Sequence, residues 1–287
     1  MSETRIHKIL SEVGSIAFPG VFDALSAAIA EKNGFPMAFV SGYSVAATRI
    51  GEPDFGLLTQ TEITSAARTI CNSVNIPILV DADTGYGNPL NVHRTVNDLI
   101  NAGAAGCFLE DQQWPKKCGH MRGKKLIDRD EYVQKIRAAV DARDGRDFFI
   151  VARTDAEQVL GLDEAIARVE AARAVGADAS FVEAPGSVEQ LSEIGRRAEG
   201  PLVANMIEGG KTPVLQQKEL AEMGFQLILY PLCGLYAAAA AVDSIYAKIK
   251  ADGTTLGTDQ NLMNFTRFNE LIGVEEKYAI AEKYGVK

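Results

Sequence analysis

The residues best suited to chemistry fall between Ile78 and Gly123. Ile78-Leu79-Val80 is a short apolar run between Pro77 and Asp81-Ala82-Asp83-Thr84-Gly85-Tyr86-Gly87. This is the pattern of a buried parallel strand that delivers carboxylates at its C-terminal end. A strand period of two predicts Asp81 and Asp83 on one side. The next apolar run, Ala105 to Leu109, ends in Glu110-Asp111, and the loop from Gln112 to Gly123 carries Lys116-Lys117-Cys118-Gly119-His120. Carboxylates on neighbouring strand ends make a poor core and a good seat for a hard cation. Mg²⁺ takes a few carboxylate oxygens and keeps waters or substrate oxygens, with Mn²⁺ as a substitute. Asp81, Asp83 and Glu110 are therefore the expected metal residues. Their bland alternative is a solvated strand end or a helix cap ahead of Asn91. For Cys118, the flanking Lys116, Lys117 and His120 predict a favoured thiolate and a lowered pKa; the bland alternative is an ordinary surface cysteine.

Apolar runs punctuated by turn signals predict the elements that must position these groups. Strands are expected near Ser15 to Phe18, Met37 to Val40, Ile78 to Val80, Ala105 to Leu109, Phe148 to Ala152, Ala179 to Val182, Leu202 to Ala204 and Gln226 to Leu229. Helical spacing fills the intervals: Asp23 to Lys32, Gln60 to Ser73, Asn91 to Ala102, Arg129 to Ala142, Leu162 to Val175, Val188 to Arg197, Gln216 to Met223 and Leu235 to Ala251. Such alternation predicts an α/β fold, a closed (β/α)8 TIM barrel. The open doubly wound alternative lacks a glycine-rich phosphate turn after the first strand. Polar groups follow strand after strand: Ser41-Gly42-Tyr43, Asp81 and Asp83, Glu110, Arg153 and Asp155, Glu183, Asn205, and Tyr230. A barrel gathers such groups on one rim, where its enzymes place their chemistry. One domain over residues 1–287 is expected, with 252–287 as a C-terminal helical extension. Its helical patterns, Asp259 to Ile272 and Val274 to Tyr284, present Leu262, Met263, Phe265, Phe268 and Leu271, which need a surface to bury against.

With 287 residues, 47% of them apolar and 23% charged, the chain can bury a full core. A net charge of -9 and a pI near 5.0 exclude a nucleic-acid or anionic-membrane surface as the main partner. The basic cluster from Lys116 to Lys125 still suits a small anion. Four cysteines without paired spacing signal neither a disulfide framework nor a zinc site. Met1 to Leu10 contains no apolar signal core, and Tyr236 to Val242 is too short to cross a bilayer, so a cytoplasmic location is expected.

The chain resembles the isocitrate lyase and phosphoenolpyruvate mutase superfamily over nearly its whole length. The landmarks are Ser41-Gly42-Tyr43-Ser44, Pro53-Asp54, Asp81 to Gly87, Glu110-Asp111-Gln112, Lys116 to His120, Ala152-Arg153-Thr154-Asp155-Ala156, and Ala204-Asn205-Met206-Ile207-Glu208-Gly209-Gly210. The resemblance implies a barrel whose last helix is exchanged with a partner subunit, a homotetramer, Mg²⁺, and a small-molecule α-oxycarboxylate substrate. Within the superfamily, Lys-Lys-Cys-Gly-His resembles the loop of the carbon-carbon lyases, those of 2-alkylmalates, 2,3-dimethylmalate and methylisocitrate. Methylisocitrate lyases carry an arginine where this chain has Leu235-Tyr236-Ala237-Ala238, which implies a smaller dicarboxylate, with oxaloacetate also considered.

On this reading the chain cleaves a 2-hydroxy dicarboxylate to a 2-keto acid such as pyruvate and a short carboxylate. Cys118 is expected as general acid, with Tyr43 or a metal-bound water as base and His120 beside them. Arg153 suits bidentate contact with a carboxylate. Ser41, Gly42, Tyr43, Lys116, Gly119, His120 and Asn205 are expected around the remaining oxygens, and Glu183 orients metal waters or His120. Gly119 and Gly123 predict a mobile loop that closes over substrate. Two alternatives stay open: a phosphonomutase of the same superfamily, and a barrel that binds a dicarboxylate without turning it over.

Overall fold

The computed structural model describes residues 3–258 and 262–286, and each apolar run expected as a strand is one. The strands are Ile16–Val21 (β1), Ala38–Val40 (β2), Ile78–Asp81 (β3), Gly106–Glu110 (β4), Phe149–Thr154 (β5), Ala179–Val182 (β6), Val203–Asn205 (β7) and Leu227–Tyr230 (β8). All pairings between them are parallel, in the order β6-β5-β4-β3-β2-β1-β8-β7. A parallel bridge between Ser180 and Leu202 brings β6 to β7. The sheet is thus a nearly closed (β/α)8 barrel, as expected.

Pleating decides what the barrel contains. One buried cluster joins Phe18, Phe39, Leu79, Phe108, Val151, Phe181, Val203 and Leu229, one or two residues from each strand. The residue two places further along each strand points the same way. For Phe39, Leu79, Phe108, Val151, Phe181 and Val203 those residues are Ser41, Asp81, Glu110, Arg153, Glu183 and Asn205. One apolar layer therefore carries one polar layer above it.

The alternate strand residues face outward. Val40, Val80, Cys107, Ile150 and Ala152 pack in a second buried cluster with helix residues such as Ile63, Val96, Leu99 and Ile136. Those helices start where side chains satisfy their first amides: Thr59 caps Gln60–Cys71, Asn88 caps Pro89–Asn101, and Ser187 caps Val188–Arg197.

Three helices of the barrel unit were not expected. Arg5–Val13, capped by Thr4, buries Ile6 and Leu10 in the inner cluster with Ile16, Phe18 and Met37. Its apolar residues Ile6, Ile9, Leu10 and Val13 recur at helical spacing, so the signal for this helix is present in the sequence. Gly42–Arg49 opens directly from the second strand end, and Glu157–Leu160 is a single turn.

The chain divides into two compact units, Met1–Gly234 and Leu235–Lys287. The helix Cys233–Asp252 runs mostly in the second unit, followed by Phe265–Leu271 and Val274–Lys283, and no residue of the three is buried. The helix expected from Asp259 begins at Phe265; residues 259–261 lie outside the described residues.

Candidate active site

The polar layer forms the floor of a cleft at the C-terminal ends of the strands. Its lining includes Ser41, Tyr43, Asp54, Asp81, Cys118, Gly119, His120, Arg153, Glu183 and Asn205. Phe39, Phe108, Phe181, Ile207, Leu229, Pro231 and Leu232 supply apolar wall. Most of the residues expected around substrate thus converge, although with Asp81 and Asp54 they come from five strand ends and two loops.

Register explains the central charge cluster. Glu110 on β4 pairs with Arg153 on β5, and Arg153 in turn pairs with Phe181, two residues before Glu183. Arg153 Nη2 lies 3.3 Å from Glu110 Oε2 and 3.2 Å from Glu183 Oε2, while its Nε donates to Asp155 Oδ2 at 3.2 Å. Burial opposes ionisation of Glu183, but Arg153 and His120 hold its carboxyl well below the usual range. Asn205 Nδ2 also donates to both Glu183 oxygens, at 3.2 Å each. The Lys211 amide donates to His120 Nδ1 (2.9 Å), so a neutral ring carries its proton on Nε2, which stands 3.2 Å from Glu183 Oε1. His120 is thereby oriented by Glu183.

Three expectations need correction. First, Asp83 does not follow Asp81 along a strand. β3 ends at Asp81, and Asp83 adopts a left-handed backbone (φ 47°), which turns its carboxylate toward Lys116 Nζ (2.6 Å) and the Tyr86 hydroxyl (3.1 Å). Second, Lys116 does not line the cleft. Its buried ammonium bridges Asp83 and Asp54, 2.6 Å from each. Burial disfavours that charge, yet the two carboxylates raise the lysine pKa well above its ordinary value. Third, the Cys118 thiol is pushed up, to about 12, by burial and then by Asp54. Two of the cations expected to favour a thiolate are otherwise directed: Lys116 toward carboxylates, and Lys117 over the Phe55 ring at 5.8 Å.

Gly42 also differs in role. Its amide donates to Asp81 Oδ2 (3.3 Å), and a Cβ there would lie 2.9 Å from the same oxygen. Ser41 caps the helix that follows, its hydroxyl accepting from the Ser44 amide. Tyr43 lines the cleft beside them.

The expected metal residues fit a divalent cation on their own chemistry. Neither Glu110 carboxylate oxygen accepts a hydrogen bond among the described residues, and both are buried. Burial pushes Glu110 well above the usual carboxylate range, against the pull of Arg153 and Lys116. Asp83 rises to about 7 by burial, Lys116 opposing it and Asp81 adding to it. Buried carboxyl groups of this kind gain from a hard cation with oxygen preference. Asp81 lines the cleft; Asp83 and Glu110 stand behind it. Among the described residues no three His, Cys, Asp or Glu side chains gather tightly enough to hold an ion directly.

Sequence reasoning missed three supports of the site. Asp54, in a loop no strand delivers, pairs with Lys116 and accepts the Cys118 amide on its carbonyl at 3.1 Å. Lys124 reaches Asp155 Oδ1 at 2.8 Å and the Gly119 carbonyl. Asp111 accepts from Thr154 Oγ1, from the Asp155 amide and from Arg168. Pro53-Asp54, Glu110-Asp111-Gln112 and the Lys116 to Lys125 cluster contained these residues, but no local signal indicated their partners.

Residues 6–250 match the family model described as phosphoenolpyruvate phosphomutase. The chain is 51% identical over 286 residues to the chloroplastic carboxyvinyl-carboxyphosphonate phosphorylmutase of Arabidopsis thaliana, covering 98% of this chain and 84% of that protein. It is 50% identical over 283 residues to the petal death protein of Dianthus caryophyllus, covering 98% and 89%. A solved 2,3-dimethylmalate lyase, described as a member of the PEP mutase/isocitrate lyase superfamily, matches with a TM-score of 0.91 and 38% identity over 98% of this chain and 94% of that one. The chain therefore belongs to the phosphoenolpyruvate mutase and isocitrate lyase superfamily, and its likeness to the 2,3-dimethylmalate lyase supports the carbon-carbon lyase expected from its Lys116 to His120 loop.

Proposed function

We propose that this protein cleaves the C2–C3 bond of a 2-hydroxy dicarboxylate of the 2-alkylmalate class, releasing a 2-keto acid such as pyruvate and a short carboxylic acid. The observation that carries this reading is the placement of Cys118 in one cleft with Arg153, Asn205 and Asp81, where burial pushes its thiol pKa up. Arg153 binds and orients one carboxylate of the substrate, and Asn205 holds a neighbouring oxygen. Loss of the 2-hydroxyl proton, to Tyr43 or solvent, lets that oxygen form the keto group while the C2–C3 electron pair passes to the leaving carboxylate as an enediolate. Cys118 then donates its proton to C3 of that fragment, and the thiolate recovers the proton from solvent, so the reaction balances as an isomer splitting in two. A thiol whose pKa is raised stays protonated until the carbanion forms. The surrounding Phe39, Phe108 and Phe181 keep water from the reacting carbon.

Asp81, with Asp83 and Glu110 through waters, would hold Mg²⁺, or Mn²⁺ in its place. When bound, the ion would lower the pKa of the substrate hydroxyl and neutralise charge on the oxyacid. A homotetramer completes the reading, supported by the apolar side chains of the second unit.

A product assay on 2-alkylmalates, 2,3-dimethylmalate, methylisocitrate, oxaloacetate and phosphonopyruvate tests the reading. Release of a 2-keto acid from a 2-alkylmalate, with methylisocitrate poorly used, is the expected result. Turnover of phosphonates alone would replace the lyase with a mutase. Binding of the dicarboxylates with no product would leave only a binding barrel.

A further inference from the structure

The loop that carries Cys118 is pinned at both ends by buried lysines. On the N-terminal side Lys116 binds Asp54 and Asp83. On the C-terminal side Lys124, its side chain 2% exposed, donates to the Gly119 carbonyl of its own loop and to Asp155 Oδ1, whose side chain is wholly buried. Asp155 is fixed in turn: its amide donates to Asp111 Oδ1 at 2.9 Å, and its second oxygen accepts from Arg153 Nε. Gly119 therefore rests directly on the charge cluster. A Cβ at that position would lie 2.3 Å from Glu183 Cγ and 2.6 Å from Arg153 Nη2.

We propose that Lys124 is a positioning residue, a latch whose ammonium holds the Cys118-Gly119-His120 turn down on the Asp155–Arg153 pair. One carboxylate, Asp155, thus sets both the guanidinium that faces the cleft and the loop that brings the thiol to it. A buried ammonium with a carboxylate and a carbonyl as partners has no comparable alternative site, so losing it frees the turn rather than relocating the bond. The latch goes beyond the lyase reading. Its main test needs no substrate, so a wrong substrate assignment and a wrong latch fail separately.

The test is the alkylation rate of Cys118 by iodoacetamide in the full-length protein at pH 8, followed by peptide mapping, with buried Cys107 as the internal control. Lys124→Met is expected to raise the Cys118 rate by about tenfold or more, the scale set by a lost charged hydrogen bond, while Cys107 stays unreactive. Removing a cation cannot lower the thiol pKa, so a faster rate reports access and not ionisation. Asp155→Asn should raise the rate as well, and the double variant should be no faster than Lys124→Met alone. Lys124→Gln keeps a donor for the Gly119 carbonyl but no charge for Asp155; an intermediate rate is expected, and it serves if the methionine variant does not fold. A folded Lys124→Met or Lys124→Gln protein with the wild-type Cys118 rate would overturn the latch, as would additive effects in the double variant.

Discussion

At Cys118 the structure reverses the electrostatics expected from its neighbours while leaving it suited to donate a proton. Burial and then Asp54 outweigh the pull of Lys116, and Lys116 and Lys117 are directed toward other partners. Alkylation of Cys118 in the wild-type protein should therefore rise about tenfold per pH unit through pH 10, with no plateau until the thiol titrates near 12. A plateau near pH 8 would mean an exposed, ordinary thiol. Cys118→Ser preserves the size of the side chain but replaces the thiol with a hydroxyl far too weakly acidic to protonate C3. Turnover on a 2-alkylmalate should fall by about 10² to 10⁴, whereas calorimetric binding of oxalate, which relies on Arg153 and the metal residues, should change little. Near-normal turnover in this variant would remove Cys118 from the proton-transfer step.

At the scale of the element, strand spacing is what aligns the polar layer. Gly106 opens β4 opposite Phe149, and a Cβ there would lie 2.2 Å from the Phe149 carbonyl oxygen and 2.6 Å from Leu79 Cδ2. Gly106→Ala should force the two strands apart at their start and cost about 1–3 kcal/mol, the usual scale of overpacking. A lowered denaturant midpoint with unchanged oxalate affinity is expected, because Glu110 and Arg153 lie at the opposite end of the same pairing. An unchanged midpoint would show that the strands yield without cost. Among the described residues four non-glycine positions have positive φ: Asp144 ends the helix Arg129–Arg143, while Asp83, Tyr86 and Ala184 adjoin the charge cluster. Ala184 donates its amide to Glu183 Oε1 at 2.8 Å, and Asp83 faces Lys116, so strong local contacts accompany the unfavourable dihedrals.

At the scale of the whole molecule, the proposed cation and the proposed oligomer each answer a feature of the structure. Glu110 and Asp83 are carboxyl groups that burial drives toward the neutral form. Chelation with EDTA should reduce turnover to background and raise the susceptibility of both to protonation, and added Mg²⁺ should restore activity; full activity in chelator would sink the metal assignment. In the second unit, Tyr246, Phe265, Tyr278 and Tyr284 are each more than 60% exposed, an apolar load that a soluble helix seldom leaves uncovered. Sedimentation should therefore find an oligomer at micromolar concentration, and truncation after Gly253 should dissociate it or make it insoluble. A stable, active monomer would exclude that assembly.

Sequence alone determined the eight strands and most helices, because apolar runs of strand length and helical spacing are local signals that turns and caps punctuate. It also determined the membership of the polar layer, since Ser41, Asp81, Glu110, Arg153, Glu183 and Asn205 each follow an inward apolar residue by two. What it did not contain was the direction of charges brought together from distant positions. Lys116 reads as a substrate contact beside Cys118, but Asp54 and Asp83 reach it first. Asp83 reads as a continuation of the strand, but the chain has already turned. Lys124 reads as one lysine of a basic cluster, and only folding places Asp155 and the Gly119 carbonyl beside it. Periodicity is carried by neighbours in sequence, whereas burial and ion pairing depend on partners tens of residues away, so the tertiary structure alone decides which charges meet and which thiol stays protonated.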